Sequence, residues 1–392
     1  MVRKGATAAL FLSLAAAGCR DHAEPPAAAK ASAPAPGKAA TRAAALAAAR
    51  VWSRPAVPPG RADFSVNTPG PGGFDANADV DCSYVLERSS GTTPKFQCTL
   101  PNGDKVKVKY GEVVPNGEVP AEIAATRLLA ALGFPADRMN RVHSVRCHGC
   151  PLLPQQAMQC LDQLDQEPKK GKAADPKGAA VLCMQGASPD RVVTFDHALV
   201  ERPLDGDKIE AEKDQGWSWY ELEAIDPKAG GASRAEVDAL RLMAILLAHW
   251  DNKGANQKLL CPDGKSRPDG SCAAPLAAIS DLGGTFGPKK VDLMNWKQQP
   301  IWADPKACRV SMKALPFEGA TFKDVEISEA GRQFALRLLQ PLTADQLNTL
   351  FEASGISAHA HITLLARDPK NWTAAFLDKV NQIRSAGPCP TS

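Results

Sequence analysis

The chain has 392 residues, 44% of them hydrophobic, and its 46 basic and 43 acidic residues give a formal charge of +3. That balance leaves no basic footprint for nucleic acid, and the length is enough for two lobes around a cleft. Eleven cysteines favour an oxidising compartment over the cytosol.

Arg3 and Lys4 precede an apolar run over residues 6–17, and Ala16-Ala17-Gly18-Cys19 closes it. This order is an export signal. The small residues before Cys19 resemble the bacterial lipobox, which implies that Cys19 is lipidated and that residues 1–19 are a lipoprotein signal peptide. The run is too short for a bilayer core of about 30 Å, and no later segment is apolar enough, so the mature protein is expected to be anchored to the cell envelope, periplasmic or surface-exposed. Residues 20–62 are dominated by Ala and Pro, bury too little apolar surface to offset the entropy of ordering, and read as a disordered tether. Residues 42–50 are rich in helix-forming alanine, but the single Leu46 offers no face to pack.

Without Cys19 ten cysteines remain, an even number that favours disulfides. Cys261 and Cys272 bracket a Pro/Gly-rich loop. Proximity in sequence suggests Cys82 with Cys98, Cys147 or Cys150 with Cys160 or Cys183, and Cys308 with Cys389. Cys147-His148-Gly149-Cys150 also admits a zinc site with His143, or a redox pair.

Residues 79–110 read as a small antiparallel sheet, with turns at 89–94 and 101–104. In its last strand Lys105, Lys107 and Lys109 share one face, because side chains alternate with period two. A helix follows, with Pro120 in its first turn and Gly133 as its C-terminal cap. Glu122 falls on the apolar stripe of Ala125, Leu129 and Leu132. A carboxylate buried there needs a cation, and a lysine of the preceding strand is the nearest donor.

Residues 138–190 hold four cysteines around a polar middle and read as a disulfide-pinned insertion. Residues 192–200 read as a strand, and Glu201-Arg202-Pro203-Leu204-Asp205-Gly206 as the linker that leaves it. Ser233-Arg234-Ala235-Glu236 is a capping box opening a strong helix that runs into His249. Short strands are expected at 257–261 and 277–279, and helices at 329–339, 343–353 and 371–383.

After that helix, His249-Trp250-Asp251-Asn252-Lys253-Gly254-Ala255-Asn256 has the D-x-x-x-x-N spacing of a kinase catalytic loop, and Asp281-Leu282-Gly283 follows. With the strand lysine and helix glutamate ahead of them, these motifs resemble the protein-kinase-like superfamily, in particular its atypical branches: HipA-like kinases, the secretory-pathway Golgi casein kinase family, CotH kinases and lipid kinases. The resemblance covers about residues 79–290. It implies an α+β, two-lobed fold, with a small antiparallel N-lobe over 63–200 and a mainly helical C-lobe over 201–392. ATP and Mg²⁺ or Mn²⁺ are the implied cofactors. Ser90, Gly91, Thr92 and Lys95 would lie over the phosphates. Lys109, with Lys107 as runner-up, would contact them and pair with Glu122. Asp251 would orient or deprotonate the acceptor hydroxyl, and Asn256 and Asp281 would hold the metal. Trp250 replaces the Arg of H-R-D, Leu282 replaces the Phe of D-F-G, and the turn before Lys95 lacks a full G-x-G-x-x-G. The competing expectations are a catalytically silent kinase-like binding module and an unrelated disulfide-stabilised envelope lipoprotein.

Overall fold

A computed structural model describes residues 38–87, 91, 93–110, 117–166, 183–184, 187–211, 215–288, 291–313, 324–358 and 363–391. Cys19, Ser90 and Thr92 lie outside these residues, as does most of the polar middle of 138–190. The chain is α+β, with a β-sheet lobe and a mainly helical remainder.

The sheet lobe is built from β1 (Asp79–Val85), β2 (Lys95–Thr99), β3 (Lys105–Lys109), β4 (Arg138–Arg141), β5 (Ser144–His148), β6 (Val192–Asp196) and β7 (Leu199–Arg202), in the order β4-β7-β3-β2-β1-β5-β6. All neighbours are antiparallel except β1 and β5. The single strand expected at 192–200 breaks at His197, whose φ is 51°, and Glu201 and Arg202 belong to β7 rather than to a linker. Across the break the backbone bonds continue, with His197 N donating to His143 O at 2.7 Å and Val142 N to Ala198 O at 3.0 Å. The two edges of the sheet are therefore halves of one bent strand pair, and the sheet rolls around Val80, Phe96, Val106, Val108, Val145 and Val200.

Two disulfides sit in that interior, Cys82–Cys98 and Cys147–Cys150. The second corrects the expectation that Cys147 or Cys150 bridges to Cys160 or Cys183; those two pair with each other. It also removes the zinc reading, because His143 is on the exposed side of the sheet, where its Nδ1 meets Asp79 at 2.7 Å. Cys261–Cys272 and Cys308–Cys389 form as expected. The cysteine-rich insertion is also partly corrected, since it supplies β4 and β5.

Helix α2 (Glu118–Leu132) lies against the outer face of this sheet, where Ile123 packs with Met139 and Leu199. It ends at Gly133, whose φ of 88° suits only glycine; a Cβ there would meet Ser53 O at 2.1 Å.

Ser53 belongs to a segment that departs from the tether expectation. Residues 42–62 are not a disordered tether. Helix α1 (Lys38–Ala47) is followed by an extended segment, and Ala45, Leu46, Ala49 and Val51 are buried in the main core. Arg42 is tied to Glu221 at 2.7 Å and Gly216 O at 2.8 Å. Ser53 N donates to Gly133 O at 2.9 Å, and Trp52 Nε1 to Leu132 O at 2.7 Å. The alanines that gave Leu46 no stripe of its own are small enough to enter a core built by distant segments.

A second sheet orders β8 (Asp207–Lys208), β9 (Gln257–Cys261) and β10 (Leu276–Ile279) as β10-β9-β8. Helix α3 (Pro154–Gln166) precedes it in the chain. The helical remainder is α4 (Arg234–Leu247), α5 (Leu293–Gln298), α6 (Glu329–Leu339), α7 (Ala344–Ala353) and α8 (Pro369–Ser385). Phe286, Trp296, Phe351 and Trp372 stack at their centre, with ring centroids 5.1–6.3 Å apart. The Ser233 capping box forms, with Ser233 N donating to Glu236 Oε2 at 2.7 Å. Among the described residues no helix is long and apolar enough to cross a membrane.

Candidate active site

Strand β3 alternates valines into the rolled interior with Lys105, Lys107 and Lys109 outward. Its neighbours set what those lysines meet. In the β2–β3 ladder Lys95 is opposite Lys109, and in the β3–β7 ladder Glu201 is opposite Lys107. Lys109 is buried and forms an ion pair with Glu122 of α2, the partner inferred from the apolar stripe. It also lies 3.1 Å from Glu201, whose other oxygen is 2.6 Å from Lys107. Lys107 and Lys109 are therefore held by one carboxylate that sequence reasoning assigned to a linker.

The two acids divide unequally. Burial alone would raise the pKa of Glu201, but Lys109 and Lys107 outweigh it and bring it down to about 2. Burial pushes Glu122 up, to about 8, against Lys109 and with the repulsion of Asp281 and Glu201. Its second oxygen, Oε1, is buried without a hydrogen-bond partner among the described residues. Burial would depress Lys109, yet Glu122, Glu201 and Asp281 raise it well above 10.5, so it stays charged. Burial and then the repulsion of Lys109 and Lys107 lower Lys95. Its ammonium is 3.0 Å from where a Cβ on Gly91 would stand, and Gly91 has φ +92°; the turn needs glycine there.

The other half of the site comes from the loop after α4. The helix stops because Ala248 turns left-handed at φ 51°, its N–H bonding Ala244 O and Ile245 O. His249 is buried, and desolvation lowers its pKa to about 4, so its imidazole is neutral. Trp250 N donates to Gly284 O at 3.0 Å. Lys253 Nζ is 2.9 and 3.1 Å from the two oxygens of Asp251, a contact that the two-residue spacing could have suggested. Asn256 Nδ2 donates to Asp251 O at 2.7 Å, while Asn256 O accepts from Ser280 N at 3.0 Å and Asp281 N at 3.2 Å. Asp251, Asn256 and Asp281 are thus joined through the Asn256 side chain and main chain.

Asp281 leaves β10 and receives Gly283 N on Oδ1 at 3.1 Å. Burial opposes its ionisation, but Lys109 in particular lowers its pKa. Thr93 donates to Glu118 in the first turn of α2, and Glu118 Cβ lies 3.3 Å from where a Cβ on Gly283 would stand. Turn, helix start and Asp281 loop are consequently contiguous. The site residues within the described set come together as one cluster.

The donors fit the groups that the resemblance implies. An ionised carboxylate at Asp281 and the amide of Asn256 are hard oxygen ligands of the kind Mg²⁺ or Mn²⁺ takes alongside phosphate and water. Lys95 has no carboxylate within ion-pair distance among the described residues, although it faces Lys109. Like charges set opposite one another in a ladder are unfavourable, and a bound polyanion would relieve them.

No protein-family profile matches the chain, and no curated protein matches it as a relative. Solved structures do. The proinflammatory kinase CtkA of Helicobacter pylori matches with a TM-score of 0.42 and 11% identity, over 79% of this chain and 98% of that one. The Golgi casein kinase with Mn/ADP bound gives 0.34 and 13%, over 80% and 74%. A pseudokinase in its apo form gives 0.21 and 12%, over 78% and 98%. At these scores the functional reading rests on the side chains themselves.

Proposed function

We propose that this chain is a kinase-like phosphotransferase that uses ATP with Mg²⁺ or Mn²⁺ and is exported and lipid-anchored through Cys19. The observation that carries the reading is the arrangement of Lys109, shared by Glu122 and Glu201, with Asp281, whose loop lies against the first turn of the Glu122 helix and is bonded through Asn256 to the Asp251 loop.

Lys109 and Lys107, with Lys95 opposite Lys109 on the neighbouring strand, bind and orient the phosphates. Asp281 and Asn256 would hold the metal, which when bound would neutralise charge on the transferred group. Asp251, steadied by Lys253, accepts the hydroxyl proton of the acceptor as its oxygen bonds to the γ-phosphorus and the bond to the β-phosphate oxygen breaks. Gly91 would supply a backbone N–H to the phosphates, the role the sequence also assigns to Ser90 and Thr92, which lie outside the described residues.

The test incubates the oxidised protein with γ-labelled ATP and Mg²⁺ or Mn²⁺, beside Asp251→Ala and Asp281→Ala. Label transfer lost in both variants is expected. Nucleotide binding without transfer in the wild type assigns a silent binding module, and neither activity leaves the unrelated envelope lipoprotein. For the anchor, labelled fatty acid should enter the wild type and not Cys19→Ala.

A further inference from the structure

Asp137 belongs to no motif, and none of the chemistry above uses it. It lies between α2 and β4 and is 1% exposed. Its Oδ1 accepts Leu204 N at 2.9 Å. Its Oδ2 accepts the Ser280 hydroxyl at 2.7 Å and pairs with the Lys258 ammonium. Its main-chain N–H donates to Ile279 O at 3.1 Å, and Ile279 N donates to Pro135 O at 3.0 Å.

Each partner is close in sequence to a residue of the site. Leu204 follows Glu201 on the segment leaving β7, Lys258 follows Asn256 on β9, and Ser280 precedes Asp281. Asp137 itself follows the helix that carries Glu122. One carboxylate therefore fastens the four segments whose relative placement decides whether Asp281 faces Lys109. Burial pushes its pKa up, and Lys258 opposes that shift; an ion held at such cost calls for a geometric reason.

We propose that Asp137 is a positioning residue that holds Asp281 in register with the Lys109–Glu122 pair. Its consequence for turnover rests on the phosphotransferase reading, whereas its consequence for geometry does not. Displacing catalytic groups by about 1 Å can cost 100-fold in rate, and the loss should fall on kcat, since Lys107 and Lys109 keep their hold on the nucleotide through Glu201.

The test compares the full-length, oxidised wild type with Asp137→Asn and with the charge-neutral pair Asp137→Asn/Lys258→Met. First, a small water-soluble acylating reagent is applied and each lysine is followed by mass spectrometry. Lys379 is an internal control: it is 1% exposed, on α8, with Nζ 2.6 Å from Gln299 O. Acylation of Lys109 should rise at least about tenfold in both variants, the size of one pKa unit, with Lys379 unchanged. A parallel rise at Lys109 and Lys379 would mean general loosening and overturn the proposal, as would no change at Lys109. Second, kcat should fall about 100-fold with KM for ATP little altered. Recovery of kcat in the charge-neutral pair would show that only the buried charge mattered and also overturn it. If the wild type transfers no phosphate, the phosphotransferase reading fails and the acylation arm alone decides on Asp137.

Discussion

Lys107 stands across the β3–β7 ladder from Glu201, its ammonium 2.6 Å from a carboxylate that also reaches Lys109. Glu201→Gln leaves both lysines with one acid fewer, and we expect it to destabilise the fold by about 3 kcal/mol, the lower end for breaking a buried pair. The folded pKa of about 2 lies below the ordinary 4.5, so ionised Glu201 stabilises fully above about pH 4.5, and that contribution disappears as pH falls towards 2. Urea midpoints of wild type and variant should therefore differ most above pH 4.5 and converge in acid.

His249 predicts a separate pH dependence. Its folded pKa of about 4 is below the 6.5 of a free imidazole, so between those values the unfolded chain binds a proton that the folded chain refuses. Stability should fall as pH drops through this window, by up to about 3 kcal/mol. His249→Gln should flatten that limb, and an unchanged slope would mean that another group sets it.

Gly284 leaves only tight room for a side chain. A Cβ there would stand 3.0 Å from Asp251 Cβ and 3.2 Å from Asp251 N and Trp250 Cε2. Gly284→Ala should push Asp251 out of place and lower kcat by about 10–100-fold. The melting temperature, read by calorimetry, should move by only a few degrees.

Non-reducing peptide mapping should recover Cys147 joined to Cys150 and Cys160 joined to Cys183. A Cys147–Cys160 peptide would contradict the rolled sheet. The Cys308–Cys389 bridge spans 81 residues, and replacing both by Ser should cost about 4 kcal/mol by loop-closure entropy.

Local signals carried much of the fold. The Ser233 capping box, the Gly133 cap and the alternation of β3 act within a few residues, and each element forms where its pattern stands. The Lys109–Glu122 pair was legible for a physical reason: a carboxylate on an apolar stripe must find a cation, and the nearest lysines preceded it. Glu201 was not, because a glutamate beside Pro203 looks like a connection until β3 is known to be its neighbour. Asp137 was invisible for a stronger reason. Its partners Leu204, Lys258 and Ser280 are 67, 121 and 143 residues away, beyond any periodicity or spacing rule. The Cys147–Cys150 bridge is not legible as a structural disulfide because nothing local shows that both thiols turn into the same interior.

The segment before Phe64 has a practical consequence. Arg50 exchanges backbone bonds with the start of β10, accepting from Ala277 N at 2.9 Å and donating to Pro275 O at 2.8 Å, and three residues later Ser53 meets the last turn of α2. A version of the protein cut at residue 62 would lose the edge partner of the strand that delivers Asp281 and the brace on the helix that presents Glu122. The alanine-rich stretch that looks most expendable thus leads into the backbone contacts that brace the segments presenting those two acids, so an N-terminal truncation there would reach the site.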